Sequence, residues 1–127
     1  RCTLICADNT GGLGDLRGAF SGTNVQNTAT LDRFFTTINL DYLDEDHEKE
    51  IIHKKHPELT DEYIGKMVQF ANLIRTSYNQ EELDHTMSPR TLLNWAKKTL
   101  MYQDRDRALK VSFLKKFNDD AQISCIQ

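Results

Sequence analysis

Met87-Ser88-Pro89-Arg90-Thr91-Leu92-Leu93-Asn94-Trp95-Ala96 decides how the larger part of this chain folds. Serine is a preferred helix cap, and proline is tolerated at the first helical position, where its missing N–H would have no partner anyway. The pair Ser88-Pro89 therefore starts a helix, predicted over about 89 to 101. Leu92, Leu93, Ala96 and Leu100 form its inward face, with Trp95 as a further candidate. Arg90 then falls in the first turn, where the helix dipole opposes a cation. A positive charge in that place implies either an anionic partner or full exposure to solvent.

Working outward, the same pattern of cap and stripe recurs on both sides. Thr60 caps a helix over about 61 to 78, in which Tyr63, Met67, Phe70, Ala71, Ile74 and Tyr78 make a one-sided stripe. Before it, Asp44-Glu45-Asp46 places acids at the positive end of a helix that runs to about Lys55. Ile51 and Ile52 are its apolar contribution, and Pro57 stops it. A last helix is predicted over about 104 to 118, with Ala108, Val111, Leu114 and Phe117 inward and Phe113 widening the face.

Toward the amino end the pattern changes. Thr3 to Ala7 is a short, mostly apolar run that reads as a strand buried on both faces. A loop from 9 to 28 holds five of the six glycines. Thr28 to Phe34 reads as a short helix capped by Thr28 or Thr30, and Phe35 to Leu40 as a second strand. Two short strands are not stable alone. The chain is thus α+β and mostly α, with a strand-loop-strand piece over 1–42 and a four-helix piece over 43–127.

Hydrophobic residues make up 39% and charged residues 28% of the 127, a globular composition. The net charge of −3 argues against a general nucleic-acid surface. No apolar run reaches the length of a membrane helix, and nothing reads as a signal peptide. The three cysteines have no metal spacing and suggest no disulfide framework, which favours a cytoplasmic setting. Arg1 stands almost directly before a strand, so a piece of a longer protein is expected.

Few residues invite chemistry. Asn9, at the tip of a buried strand, is placed to hold a water or a phosphate oxygen, although Asp8-Asn9-Thr10-Gly11 is also ordinary turn chemistry. Arg33 reads first as a surface ion-pair residue. Arg90 is more suggestive because of its place in the helix. His47, His53 and His56 can share a face, as a metal site requires, but the segment 44–55 mixes acids and bases and reads rather as a solvated face, with no metal. The glycine-rich loop has neither G-x-x-x-x-G-K-[ST] nor a G-x-G-x-x-G that opens a helix.

In order, I-C-A-D-N-T-G-G-L-G-D, G-T, L-D-R-F, the acidic helix start and M-S-P-R-T-L-L-N-W-A resemble the C-terminal half of a AAA+ ATPase of the MoxR class. The likeness is greatest to its cobaltochelatase ATPase-subunit (CobS-like) branch and covers about residues 3 to 115. In that family an A-N-T-x-G-L-G-D stretch precedes a G-T and an M-D-R segment, and M-S-P-R-T opens a helix of the lid.

The resemblance implies a remnant of the α/β nucleotide-binding subdomain over 1–42 and a helical lid over 43–127. It makes Asn9 the sensor-1 residue that positions the attacking water. It makes Arg33 an arginine finger toward a neighbouring subunit, and Arg90 the sensor-2 arginine lowered onto the phosphates of its own subunit. An arginine finger is worth about 10³–10⁵ in rate. The parent would be a hexameric ring that uses ATP and Mg2+ to remodel a protein partner, with no nucleic acid and no membrane involved. In the CobS-like branch that partner inserts cobalt into a corrin ring for cobalamin biosynthesis; in the wider MoxR class the role is chaperone-like.

Departures bound these expectations. No Walker A lysine or Walker B acidic pair can be placed in the 127 residues, so the chain alone is expected to bind and hydrolyse no ATP. In the family's sheet the two strands are separated by the P-loop strand, and Asp8 is an extra residue in the A-N-T run. A non-enzymatic helical interaction module without nucleotide binding is the alternative.

Overall fold

In the computed structural model, residues 3–8 and 24–116 are described. The chain divides into two units, Arg1–Leu40 and Asp41–Gln127. Among the described residues, helices are the only regular structure.

Among its described residues the first unit holds one short helix, α1 (Thr28–Leu31). Its cap is Asn27, whose side chain accepts from the Ala29 N–H at 2.9 Å, and not Thr28 or Thr30 as expected. The strands expected at Thr3–Ala7 and Phe35–Leu40 do not form: neither run has strand structure, and Leu4, Ile5, Phe35, Ile38 and Leu40 are all exposed. A strand is a pairing and not a property of a sequence run. Among the described residues neither run has a ladder partner, so β-propensity alone does not hold them in a sheet.

The second unit carries the core. Helix α2 (Glu45–Lys55) starts where Asp44 accepts from the His47 N–H at 2.9 Å. Acids fill its first turn and bases its last, in line with the dipole. The chain turns out of it at His56, immediately before Pro57. Helix α3 (Asp61–Asn79) is capped by the Thr60 hydroxyl. Its buried side runs Tyr63, Ile64, Met67, Val68, Ala71 and Ile74, a stripe broad enough to meet neighbours on two sides. Helix α4 (Pro89–Tyr102) begins as the Ser88-Pro89 pair predicts, with Ser88 Oγ accepting from the Thr91 N–H at 3.2 Å.

The face that α4 buries is rotated from the one expected. Leu92, Trp95, Ala96 and Thr99 are buried, while Leu93 and Leu100 are only half-buried. Trp95 turns the helix: its ring meets Phe70 edge-on at 5.7 Å and Tyr63 at 6.3 Å between centroids. Thr99 is accommodated by donating to the Trp95 carbonyl at 3.0 Å, with the Tyr63 hydroxyl 3.4 Å away.

After a left-handed residue at Gln103 (φ 52°), helix α5 (Arg105–Ser112) packs back along α4. It ends well short of 118. Phe113 leaves the helical conformation, and a 3-10 turn follows over Leu114–Lys116. The break lets two successive bulky side chains, Phe113 and Leu114, both enter the core. Phe117 lies outside the described residues. On α2, Ile52 is buried and Ile51 is not, so the helix contributes one isoleucine to the core.

Candidate functional site

Asn9 lies outside the described residues. Arg33 is exposed, just after α1 in the first unit, its N–H donating to the Thr30 carbonyl at 3.2 Å. Arg90 is exposed in the first turn of α4 in the second unit. Among the described residues, no carboxylate pairs with the Arg90 guanidinium. Its charge faces solvent at the helix end that repels it.

The three histidines do not converge on one point. His47 Nδ1 lies 2.7 Å from an Asp44 oxygen and His53 Nδ1 lies 3.2 Å from Asp61, while His56 caps the end of α2. The hydrogen bond and the charge of Asp44 raise the His47 pKa above its ordinary value. The His47 N–H, followed by its ring, lowers that of Asp44. Among the described residues, no group of three His, Cys, Asp or Glu side chains could hold a metal ion.

The most heavily bonded constellation is one that sequence reasoning missed. Glu48 belongs to the segment whose mixed charges read as a solvated face, yet it is 3% exposed, and Arg75 of α3 is 5% exposed. They meet end-on, Arg75 Nη1 donating to Glu48 Oε2 and Nη2 to Oε1, each at 2.8 Å. Arg75 Nη1 also donates to Asn72 Oδ1 at 2.9 Å, and Asn72 donates in turn to Glu45 Oε1 at 2.9 Å. Arg75 Nε donates to the Met87 carbonyl at 2.9 Å. Tyr42 covers the guanidinium, with Cζ 4.0 Å from the ring centroid, and its hydroxyl lies 3.2 Å from Thr86 Oγ1. A buried charge pair persists only when its remaining polar atoms are also satisfied, and here the guanidinium's bonds reach α2, α3 and the loop before α4.

One signal was available. Arg75 continues the buried line of Ile64, Val68 and Ala71 at helical spacing, and Glu48 lies one turn before Ile52. Two opposite charges, each in register with a core stripe, are candidates for each other.

The geometry supplies one contact suited to a polyphosphate, the outward Arg90, presented by a capped and internally braced helix start.

Residues 48–125 match the family model described as CbbQ/NirQ/NorQ C-terminal. The chain is also 36% identical over 120 residues to the aerobic cobaltochelatase subunit CobS of a Sinorhizobium species. That match covers 91% of this chain but only 36% of the relative's own length. No solved structure matches the chain. The family match takes in three of the four longer helices and most of the fourth, together with Arg75, Arg90 and Glu48. The chain therefore belongs to the CbbQ/NirQ/NorQ C-terminal family, the carboxy-terminal helical region of AAA+ proteins of the MoxR class.

Proposed function

We infer that this chain is the lid-bearing part of a AAA+ ATPase that couples ATP hydrolysis to work on a partner protein, in the manner of a cobaltochelatase ATPase subunit. Residues 1–42 belong to the nucleotide-binding subdomain and 43–127 form the lid. The observation that carries this reading is Arg90: an exposed guanidinium in the first turn of a rigid helix, against the dipole, without an acidic partner among the described residues. A phosphate group supplies the missing counter-charge. Within this reading Arg90 contacts the nucleotide of its own subunit. Asn9 orients the attacking water, and Arg33 reaches the nucleotide of the next subunit in a closed, six-membered ring. ATP and Mg2+ would be held chiefly by residues outside the described segment.

The partner of the CobS branch is a metal-inserting subunit, and cobalt is then cargo for a corrin ring and not a resident metal. The 36% identity to CobS supports this branch over a general chaperone role.

The test uses the protein expressed from its whole reading frame. Arg90→Ala should lower ATP hydrolysis by about 10²-fold, the scale for loss of one well-placed group that stabilises transition-state charge. An unchanged rate would refute the role of Arg90. The 127 residues alone should bind no ATP in calorimetry, and tight binding would contradict the reading. Cobalt insertion into a corrin by the protein with its partner subunits should require ATP; insertion at full rate without it would remove the cobaltochelatase assignment.

A further inference from the structure

We propose that Arg75 is the positioning residue for Arg90, acting through the loop that ends at Ser88. This rests on the reading of Arg90 as a phosphate contact.

Several anchors of the chain between α3 and α4 converge at its end. The Met87 side chain is fully buried, and its carbonyl accepts from Arg75 Nε at 2.9 Å. Thr86 meets the hydroxyl of Tyr42, whose ring lies over the same guanidinium. Ser88, the next residue, caps α4, and Arg90 follows two positions later. The Arg75 guanidinium therefore fixes the backbone three residues before Arg90. Glu48 fixes the guanidinium in turn, through two hydrogen bonds of 2.8 Å from α2.

Arginine is suited to this because its planar fork serves both partners at once. Two nitrogens meet the carboxylate while Nε remains for the carbonyl. A lysine at 75 could meet Glu48 as a point charge but could not also hold Met87. A long exposed side chain such as Arg90 has many rotamers, and its useful reach is set by the position of its own backbone. Rigid support of the backbone is what turns a flexible arginine into a directed one.

The experiment compares Arg75→Lys, Arg90→Ala and the double variant in the protein expressed from its whole reading frame. Amide hydrogen exchange over 86–92 should speed up by about tenfold or more in Arg75→Lys, as loss of a charge-assisted hydrogen bond implies, while the first two turns of α3 keep their protection. ATP hydrolysis should fall about tenfold in Arg75→Lys, but Arg75→Lys should cause no further fall when Arg90 is already alanine. Equal losses in both backgrounds would show a merely structural role and overturn the proposal, as would unchanged exchange at 86–92.

If Arg90→Ala alone leaves hydrolysis unchanged, it is the reading of Arg90 that fails, and the exchange result then decides the clamp by itself. Should Arg75→Lys not fold, Tyr42→Leu is read in the same two ways. It keeps the buried ion pair and removes only the cover and the Thr86 contact. Unchanged exchange at 86–88 in that variant would overturn the proposal.

Discussion

Arg75 and Glu48, 27 residues apart, close on each other through two hydrogen bonds of 2.8 Å in a place almost free of water. Breaking such a pair leaves an uncompensated buried charge, whereas replacing both members by apolar groups of similar size removes the cost of burial as well. Arg75→Ala should therefore destabilise the protein by about 3–5 kcal/mol in urea unfolding. Glu48→Leu combined with Arg75→Met should recover most of that loss. A double variant as unstable as the single one would show that the pair's other bonds, to Met87 and Asn72, matter more than its charge.

Arg90 should behave in the opposite way. It is exposed, and its charge opposes the dipole of α4. Arg90→Glu should raise stability by about 0.3–1 kcal/mol while abolishing the ATPase activity proposed above. Thermal melts and hydrolysis rates on the same sample would show the two effects diverge. Loss of stability would mean that Arg90 supports the fold.

The Asp44–His47 contact predicts a dependence on pH. The pKa of His47 is raised, so its contribution is fully present below its ordinary value of 6.5 and is lost as pH rises through the folded value. The pKa of Asp44 is lowered, so its contribution is present above 3.8 and is lost as pH falls through the folded value. Both operate together between 3.8 and 6.5. The Tm difference between the native chain and His47→Ala should be larger at pH 5 than at pH 9. An equal difference at both would remove the charge from the account of this cap.

The buried core of the second unit draws on residues from Ile52 to Leu114. A chain starting at Asp41 should therefore keep its helical circular dichroism and a cooperative melt. The single tryptophan reports on this directly, since Trp95 is 6% exposed between two aromatic rings. Its emission should be as blue in the shortened chain as in the whole one and shift red on unfolding. Red emission in the shortened chain at the outset would show that residues 1–40 are needed for the core.

What could be read beforehand was local. Asp44, Thr60 and Ser88 each cap the helix that the sequence places after them, because a cap and the helix it serves are neighbours in the chain. The α3 stripe was legible for the same reason. The Glu48–Arg75 pair was not, since helical spacing says which face a residue occupies but not which distant face it meets. The expected strands at 3–7 and 35–40 are absent for a related reason: their residue types suit a sheet, but pairing depends on chain elsewhere. Of the three arginine and asparagine positions named from the sequence, the described structure places Arg33 and Arg90 on the surface and does not include Asn9.

The bare apolar runs have a practical outcome at the bench. Thr3–Ala7 and Phe35–Leu40 carry no charge and no proline, and their large side chains stand in water. Short, exposed, uncharged segments of high β-propensity recruit copies of themselves. Precipitation on concentrating the 127-residue chain is the expected result. Ile5→Lys together with Ile38→Lys, both at exposed positions, should delay it.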